Sequence, residues 1–189
     1  RRILYLFGAT RGLEVSVAAL IRCWNNFFFE PRDPTPLGLF RILYGVLTIC
    51  NLILLYPSWL DWFGVHSWTT LDTIHKLEPG PRLSLFSVIP QSDSSIQLFF
   101  WIFLASALLL TLGVFTRISS IVVFLCVTSI QQRNLYATNS GDTFLRVAGF
   151  FLMFAPAGAA LSIDRLVRIW RGYEGLELRF IAPWAQRMI

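Results

Sequence analysis

The chain has 189 residues and a formal net charge of +5, is 55% hydrophobic and 15% aromatic, and carries only 14% charged residues. A soluble domain of this size usually holds about 25% charged residues. The apolar excess here is more than one soluble core can hide, and a mean hydropathy of +0.59 agrees, so an all-α integral membrane protein is expected. The positive balance comes from fifteen arginines and a single lysine, Lys76, set mainly outside the apolar runs and near the chain ends. Membrane topology and anionic lipid account for that charge without a nucleic-acid partner.

In chain order, the opening "RRILYLFGAT" has the charge of a signal peptide, but its apolar run is short and no small-residue cleavage site follows. Along Leu13–Phe28, the residues Leu13, Val17, Leu20, Ile21, Trp24 and Phe28 share one helical face, which reads as an interfacial helix. Four stretches then read as spans. Leu37–Tyr56 has 20 residues, enough to rise about 30 Å as a helix and match a hydrocarbon core. Ile96–Phe115 carries no charge. Ile118–Ile130 has only 13 residues and must borrow Gln131 and its neighbours to cross. Thr143–Leu161 holds Arg146 inside and Pro156 near its end, where proline tends to kink or stop a helix. In "SIDRLVRIWRG", Ile163, Leu166, Val167 and Trp170 face one way while Asp164, Arg165, Arg168 and Arg171 face the other. This is a second interfacial helix, with Ser162 as its cap and Asp164 in its first turn.

Five arginines precede Leu37 and five follow Leu161, whereas the long loop Pro57–Ser95 has Lys76 and Arg82 against Asp61, Asp72, Glu78 and Asp93. The positive-inside rule then puts both termini in the cytoplasm, with the long loop and the stretch 131–146 on the outer side. The chain divides into a cytoplasmic segment 1–36 with its interfacial helix, a membrane core 37–161, and a cytoplasmic amphipathic tail 162–189 that would lead to a further membrane helix. A bacterial inner membrane is the expected location.

Cys23, Cys50 and Cys126 have no metal-type spacing, and Cys50 and Cys126 lie inside apolar runs, where a thiol packs as a small hydrophobe. Neither a disulfide framework nor a metal site is expected. His66 and His75 stand nine positions apart without a matching carboxylate. The nearby Trp59, Trp62 and Trp68 read as an interfacial belt, and the run Phe99-Phe100-Trp101 as lipid contact. Arg41, one turn into the first span, can snorkel to the cytoplasmic interface. No phosphate-binding loop, dinucleotide fingerprint, nucleophile elbow or zincin motif is present.

The densest polar cluster beside a span is "QQRNLYATNSGDTFLR" (131–146). Its candidate residues are Arg133, Asn134, Asn139, Asp142 and Arg146. Asp142 and Arg146 stand four apart, where opposite charges meet on a helix face. One reading is a clamp, in which Asp142 caps the fourth helix and pairs with Arg146 while Arg133 approaches from the neighbouring helix end. The other is a site: two arginines against one aspartate leave positive charge beside a helix N-terminus, able to hold a carboxylate or another anion.

The segment "PRDPTPLGLFRILYG" (31–45) is similar to the approach to the first membrane helix of vitamin K-dependent γ-carboxylases. Residues 112–166 resemble the middle of the HTTM (horizontally transferred transmembrane) domain, the membrane module shared with those enzymes. The features that carry the resemblance are Gly113 with Thr116-Arg117, Gln132-Arg133-Asn134, Gly141-Asp142, Leu145-Arg146, Phe154-Ala155-Pro156 and Ser162-Ile163-Asp164. The likeness implies a polytopic helical membrane fold. For the carboxylases it also implies a reduced quinone, vitamin K, whose oxygenation yields a base that deprotonates a peptide glutamate on the luminal side. This chain lacks a lysine matching the catalytic one, and the Asn-Asn-His run of the enzymes falls on Asn139, Ser140 and Gly141. Two functions follow as expectations. The favoured one is a non-catalytic membrane subunit in a larger respiratory or photosynthetic type of complex. The other is the N-terminal part of a carboxylase-like, quinone-dependent enzyme.

Overall fold

The computed structural model describes residues 17–68, 73, 84–133, 138–173, 175, 187 and 188, and among them there is helix and no strand. Residues 17–29 form a first helix, α1. It is followed by α2 (Thr35–Leu55), α3 (Trp59–Phe63), α4 (Asp93–Leu112), α5 (Thr116–Arg133), α6 (Ser140–Phe154) and α7 (Ile163–Trp170). Several starts have a local cause. The Asp33 carboxylate accepts the Thr35 N–H at 2.9 Å just ahead of α2, and Ser92 accepts the Ser95 N–H at the head of α4. Asn139 and Ser162 cap α6 and α7 in the same way.

The buried face of α2 runs Leu37, Gly38, Arg41, Tyr44, Gly45, Thr48 and Leu52, steps of one, three and four that keep to a single stripe. This stripe packs on α4, α4 packs on α5, and α5 packs on α6. The Tyr44 hydroxyl donates to the Leu145 carbonyl at 3.1 Å, which joins α2 to α6 and closes the bundle. Gly45 faces Thr111 of α4 so closely that a β-carbon there would run into the threonine side chain. The α2–α4 approach therefore depends on that glycine.

A 29-residue run, Thr35–Phe63, passes from α2 through a 3₁₀ turn at Tyr56–Ser58 into α3; this run and α4 are long and apolar enough to cross a membrane. The third expected span proves longer than its apolar core, since α5 has 18 residues and takes in Gln131 and Arg133. The fourth proves shorter. Helix α6 stops at Phe154 because Ala155, which precedes Pro156, is extended (φ −74°, ψ 143°), the conformation that proline imposes on its predecessor. Residues 155–162 form a turn instead of the last turns of a span.

Two aromatic assignments change as well. Trp59 is 1% exposed and donates its indole N–H to the Ile96 carbonyl at 3.1 Å, so it belongs to the core and not to an interfacial belt. Phe99 and Phe100 are buried beside it, with Trp59 and Phe100 centroids 5.1 Å apart, and only Trp101 of that run faces outward. Such ring pairs are each worth about 0.5–1.5 kcal/mol beyond the area they bury. The face expected along α1 is outward at Val17, Leu20, Ile21 and Trp24, with Phe28 half-buried; Leu13 lies outside the described residues.

Candidate functional site

Polar groups gather at both ends of the bundle. At the end where α5 passes to α6, the Gln131 side-chain N–H donates to the Asp142 carbonyl at 2.6 Å and ties the two helices together. Asn139 Oδ1 accepts the Asp142 N–H at 3.1 Å, and Asp142 Oδ2 accepts the Asn139 N–H at 3.0 Å. This reciprocal arrangement is a capping box.

The box changes the expected clamp. Asp142 forms no ion pair with Arg146, since among the described residues the ion pair that forms is the exposed Arg32–Glu30 contact at 3.9 Å. Helical side chains lean toward the N-terminus, so an aspartate in the first turn reaches back to the cap instead of forward to a residue four positions on. Arg146 is half-buried further along α6. Arg133 does not approach the pair either. It is 3% exposed, and its Nη2 lies 3.5 Å from the Phe63 carbonyl and 3.4 Å from Ser67 Oγ. Its guanidinium carbon stands 5.6 Å from the centre of the Phe86 ring. Both polar contacts are at the long limit of hydrogen bonding, and Arg133 Nε and Nη1 have no partner among the described residues. Asn134 lies outside the described residues. Of the five candidates, then, Asn139 and Asp142 come together, whereas Arg133 and Arg146 turn elsewhere.

Beside the capping box, a cavity of about 50 Å³ sits among Thr48, Leu52, Phe103, Gln131, Asp142 and Leu145. A recess of about 260 Å³ next to it shares Asn51, Gln131 and Asp142 and is walled by Trp62 and Phe63. The Thr48 hydroxyl is spent on the Tyr44 carbonyl at 2.8 Å. The carboxamides of Asn51 and Gln131 line the cleft together with Trp62 and Thr138, and Gln131 already gives one of its N–H groups to the Asp142 carbonyl. Among the described residues no three His, Cys, Asp or Glu side chains come together as a metal would require. His66 is exposed, and His75 lies outside the described residues.

The opposite end holds residues that the sequence alone did not bring together. Arg41 is fully buried rather than snorkelling. Its Nη1 donates to the Ala157 carbonyl at 2.7 Å and, at 3.4 Å, to that of Ala160, while Nη2 donates to the Leu161 carbonyl at 2.6 Å. The arginine thus organises the turn that Pro156 forces at the end of α6. Gly113 has φ 73°, and a β-carbon there would lie 2.8 Å from Arg41 Nη1 and 2.5 Å from Ser162 Cβ. The Asp164 carboxylate accepts from the Phe115 and Thr116 N–H groups and the Thr116 hydroxyl, all at 2.9 Å, and so caps α5 from α7. Partial burial alone would push the Asp164 carboxyl pKa up; these donors, together with Arg168, outweigh it and hold the group below its ordinary value. Of this cluster, the sequence signalled the Ser162 cap, and Ser162 Oγ does accept the Arg165 N–H at 3.1 Å. The remaining signal was an arginine inside an apolar stripe with no acidic neighbour on its own helix.

The HTTM domain family matches residues 29–174, which takes in both polar ends and every helix from α2 to α7. No curated protein and no solved structure matches the chain.

Proposed function

The chain belongs to the HTTM domain family, and from that premise we propose that it is an integral membrane module with four spanning helices, α2, α4, α5 and α6. Both ends then face the cytoplasm of a bacterial inner membrane, and the module serves as a non-catalytic subunit within a larger membrane complex. The observation that carries this reading is the outer surface of the two longest apolar helices. Leu39, Leu43, Leu47 and Leu54 of α2, with Leu98 and Ile102 of α4, are all more than 45% exposed. Apolar faces of that extent suit lipid or a membrane partner and not water. Reporter fusions at Arg11 and Arg171 are expected to read cytoplasmic and one at Thr70 external. A cytoplasmic signal at Thr70 removes the four-span arrangement. Gentle solubilisation is expected to bring down a membrane protein in fixed ratio, and a chain that purifies alone under those conditions counts against the subunit reading.

A second reading is supported by the cleft at the outer end: a quinone-dependent, carboxylase-like activity. Apolar walls with the Asn51 and Gln131 carboxamides suit a ring that carries carbonyl oxygens, and Arg133 supplies a buried cation behind Phe63. A reduced quinone, when bound, would supply the oxygenation chemistry. The residues of this chain would hold the ring, exclude water and set the local charge. Quenching of tryptophan fluorescence by a menaquinone analogue is the test. Saturable quenching that weakens several-fold in Asn51→Ala supports the reading, and quenching unchanged by that substitution refutes it.

A further inference from the structure

The largest of the three recesses described lies at the opposite end of the bundle from the quinone-type cleft, where α5 begins, α6 ends and α7 crosses. It has a volume of about 350 Å³ and is lined by Phe115, Thr116, Arg117, Ile118, the turn 155–159, Asp164 and Arg168. Three arginines and one aspartate lie in or behind its wall. Arg117 and Arg168 form part of the wall, and Arg41 lies behind it, within electrostatic reach of Asp164. That carboxylate is committed, because both of its oxygens accept hydrogen bonds from Phe115 and Thr116. Arg168 Nη2 donates to the Gly158 carbonyl at 3.2 Å. With Arg117 and Arg168 against Asp164, the lining side chains carry two positive charges against one negative, so the recess is cationic. Its rim is apolar, with Phe115 68% and Ile118 64% exposed. A basic hollow bordered by outward phenylalanine and isoleucine at a helix end is complementary to a molecule with an anionic head and hydrocarbon chains.

We propose that this recess binds the phosphate of an anionic phospholipid such as phosphatidylglycerol, with Arg117 as the contact at its mouth, Arg168 in its wall, and the acyl chains lying along Phe115 and Ile118. The proposal rests on the membrane reading above. A headgroup held at this point would bear on the α5 start, the 155–162 turn and α7 together, so the bound lipid fastens the amphipathic helix to the bundle. A single interfacial arginine is worth about fivefold in affinity for an anionic surface.

The test is native mass spectrometry of the purified protein from micelles holding equal amounts of phosphatidylglycerol and phosphatidylcholine. One phosphatidylglycerol per chain is expected to be retained in preference to phosphatidylcholine. Arg117→Gln, at an exposed position, is expected to weaken that retention about fivefold without changing the melting temperature. Arg171→Gln, which alters a basic residue outside the recess, is expected to leave it unchanged. Equal retention of the two lipids, or equal loss in both variants, overturns the proposal. Displacement of the lipid by millimolar inorganic phosphate would also overturn it, since the site would then take a free anion. Alkaline carbonate extraction of native membranes reads the membrane assignment by itself. Release of the chain into the soluble fraction removes that assignment and the lipid site with it, whereas retention combined with unselective lipid binding removes the lipid site alone.

Discussion

Arg41 shows what a buried cation does when no carboxylate contacts it. Its two terminal nitrogens are divided among three backbone carbonyls of one turn, so the planar fork is used as a template for that turn. Lysine keeps the charge but is a single point donor on a flexible stem. Arg41→Lys is therefore expected to lower stability by about 1–3 kcal/mol in detergent, through carbonyls left without donors. A melting temperature equal to that of the parent would show that water replaces the fork. Asp164 gives a pH signature at the same end. Its folded-state pKa is depressed, so its contribution to stability is complete above the ordinary carboxylate value of about 3.9 and is lost as pH falls through the lower folded value. The stability gap between the parent and Asp164→Asn is expected to be constant well above about pH 4 and to narrow progressively as pH falls below it. Curves separated by a constant gap at all pH values would contradict the cap.

At the scale of elements, the α5–α6 connection tests where the charge of Asp142 is used. The capping box predicts that Asn139→Ala and Asp142→Ala each cost about 0.5–2 kcal/mol. Each side chain accepts from the backbone N–H of the other residue, which alanine keeps, so the double variant is expected to lose close to their sum. Asp142→Asn and Arg146→Leu are expected to add, since no ion pair joins them. The opposite result, strong coupling of Asp142 to Arg146, would restore the clamp. The limits of α6 follow from the same kind of local chemistry, a box at its start and Pro156 beyond its end. That leaves it 15 residues long, about 22 Å, and the turn that follows is available to Arg41.

For the whole molecule, the three cysteines make useful reporters because they sample different surroundings. Cys23 and Cys50 are exposed on the molecular surface, and Cys126 is buried between helices. Cys50 lies on α2 among outward leucines. In the proposed membrane setting that surface is covered by hydrocarbon. A water-soluble maleimide applied to opened membrane vesicles is expected to label Cys23 alone, while a lipid-soluble maleimide adds Cys50. Cys126 should react only after unfolding, where burial no longer shields the thiol. Prompt labelling of Cys50 by the water-soluble reagent would place α2 outside the bilayer.

Much of the helical architecture was readable from residue order, because its causes are local. Apolar runs located α2, α4, α5 and α6, and Ser162 and Asp164 marked the start of α7. Asp142 was recognisable as a first-turn residue, and the arginine asymmetry between the chain ends and the long loop was plain. What residue order did not determine was which polar groups meet. Asp142 and Arg146 looked like a pair at four-residue spacing, yet the aspartate is held by the backbone behind it, a geometry that helix spacing does not distinguish. Arg41 meets a turn more than a hundred residues away, and Arg133 meets Phe63, Ser67 and Phe86 from two separate segments. Those contacts depend on how four helices close around one another. Only tertiary packing decides which carbonyls and rings a buried guanidinium will find.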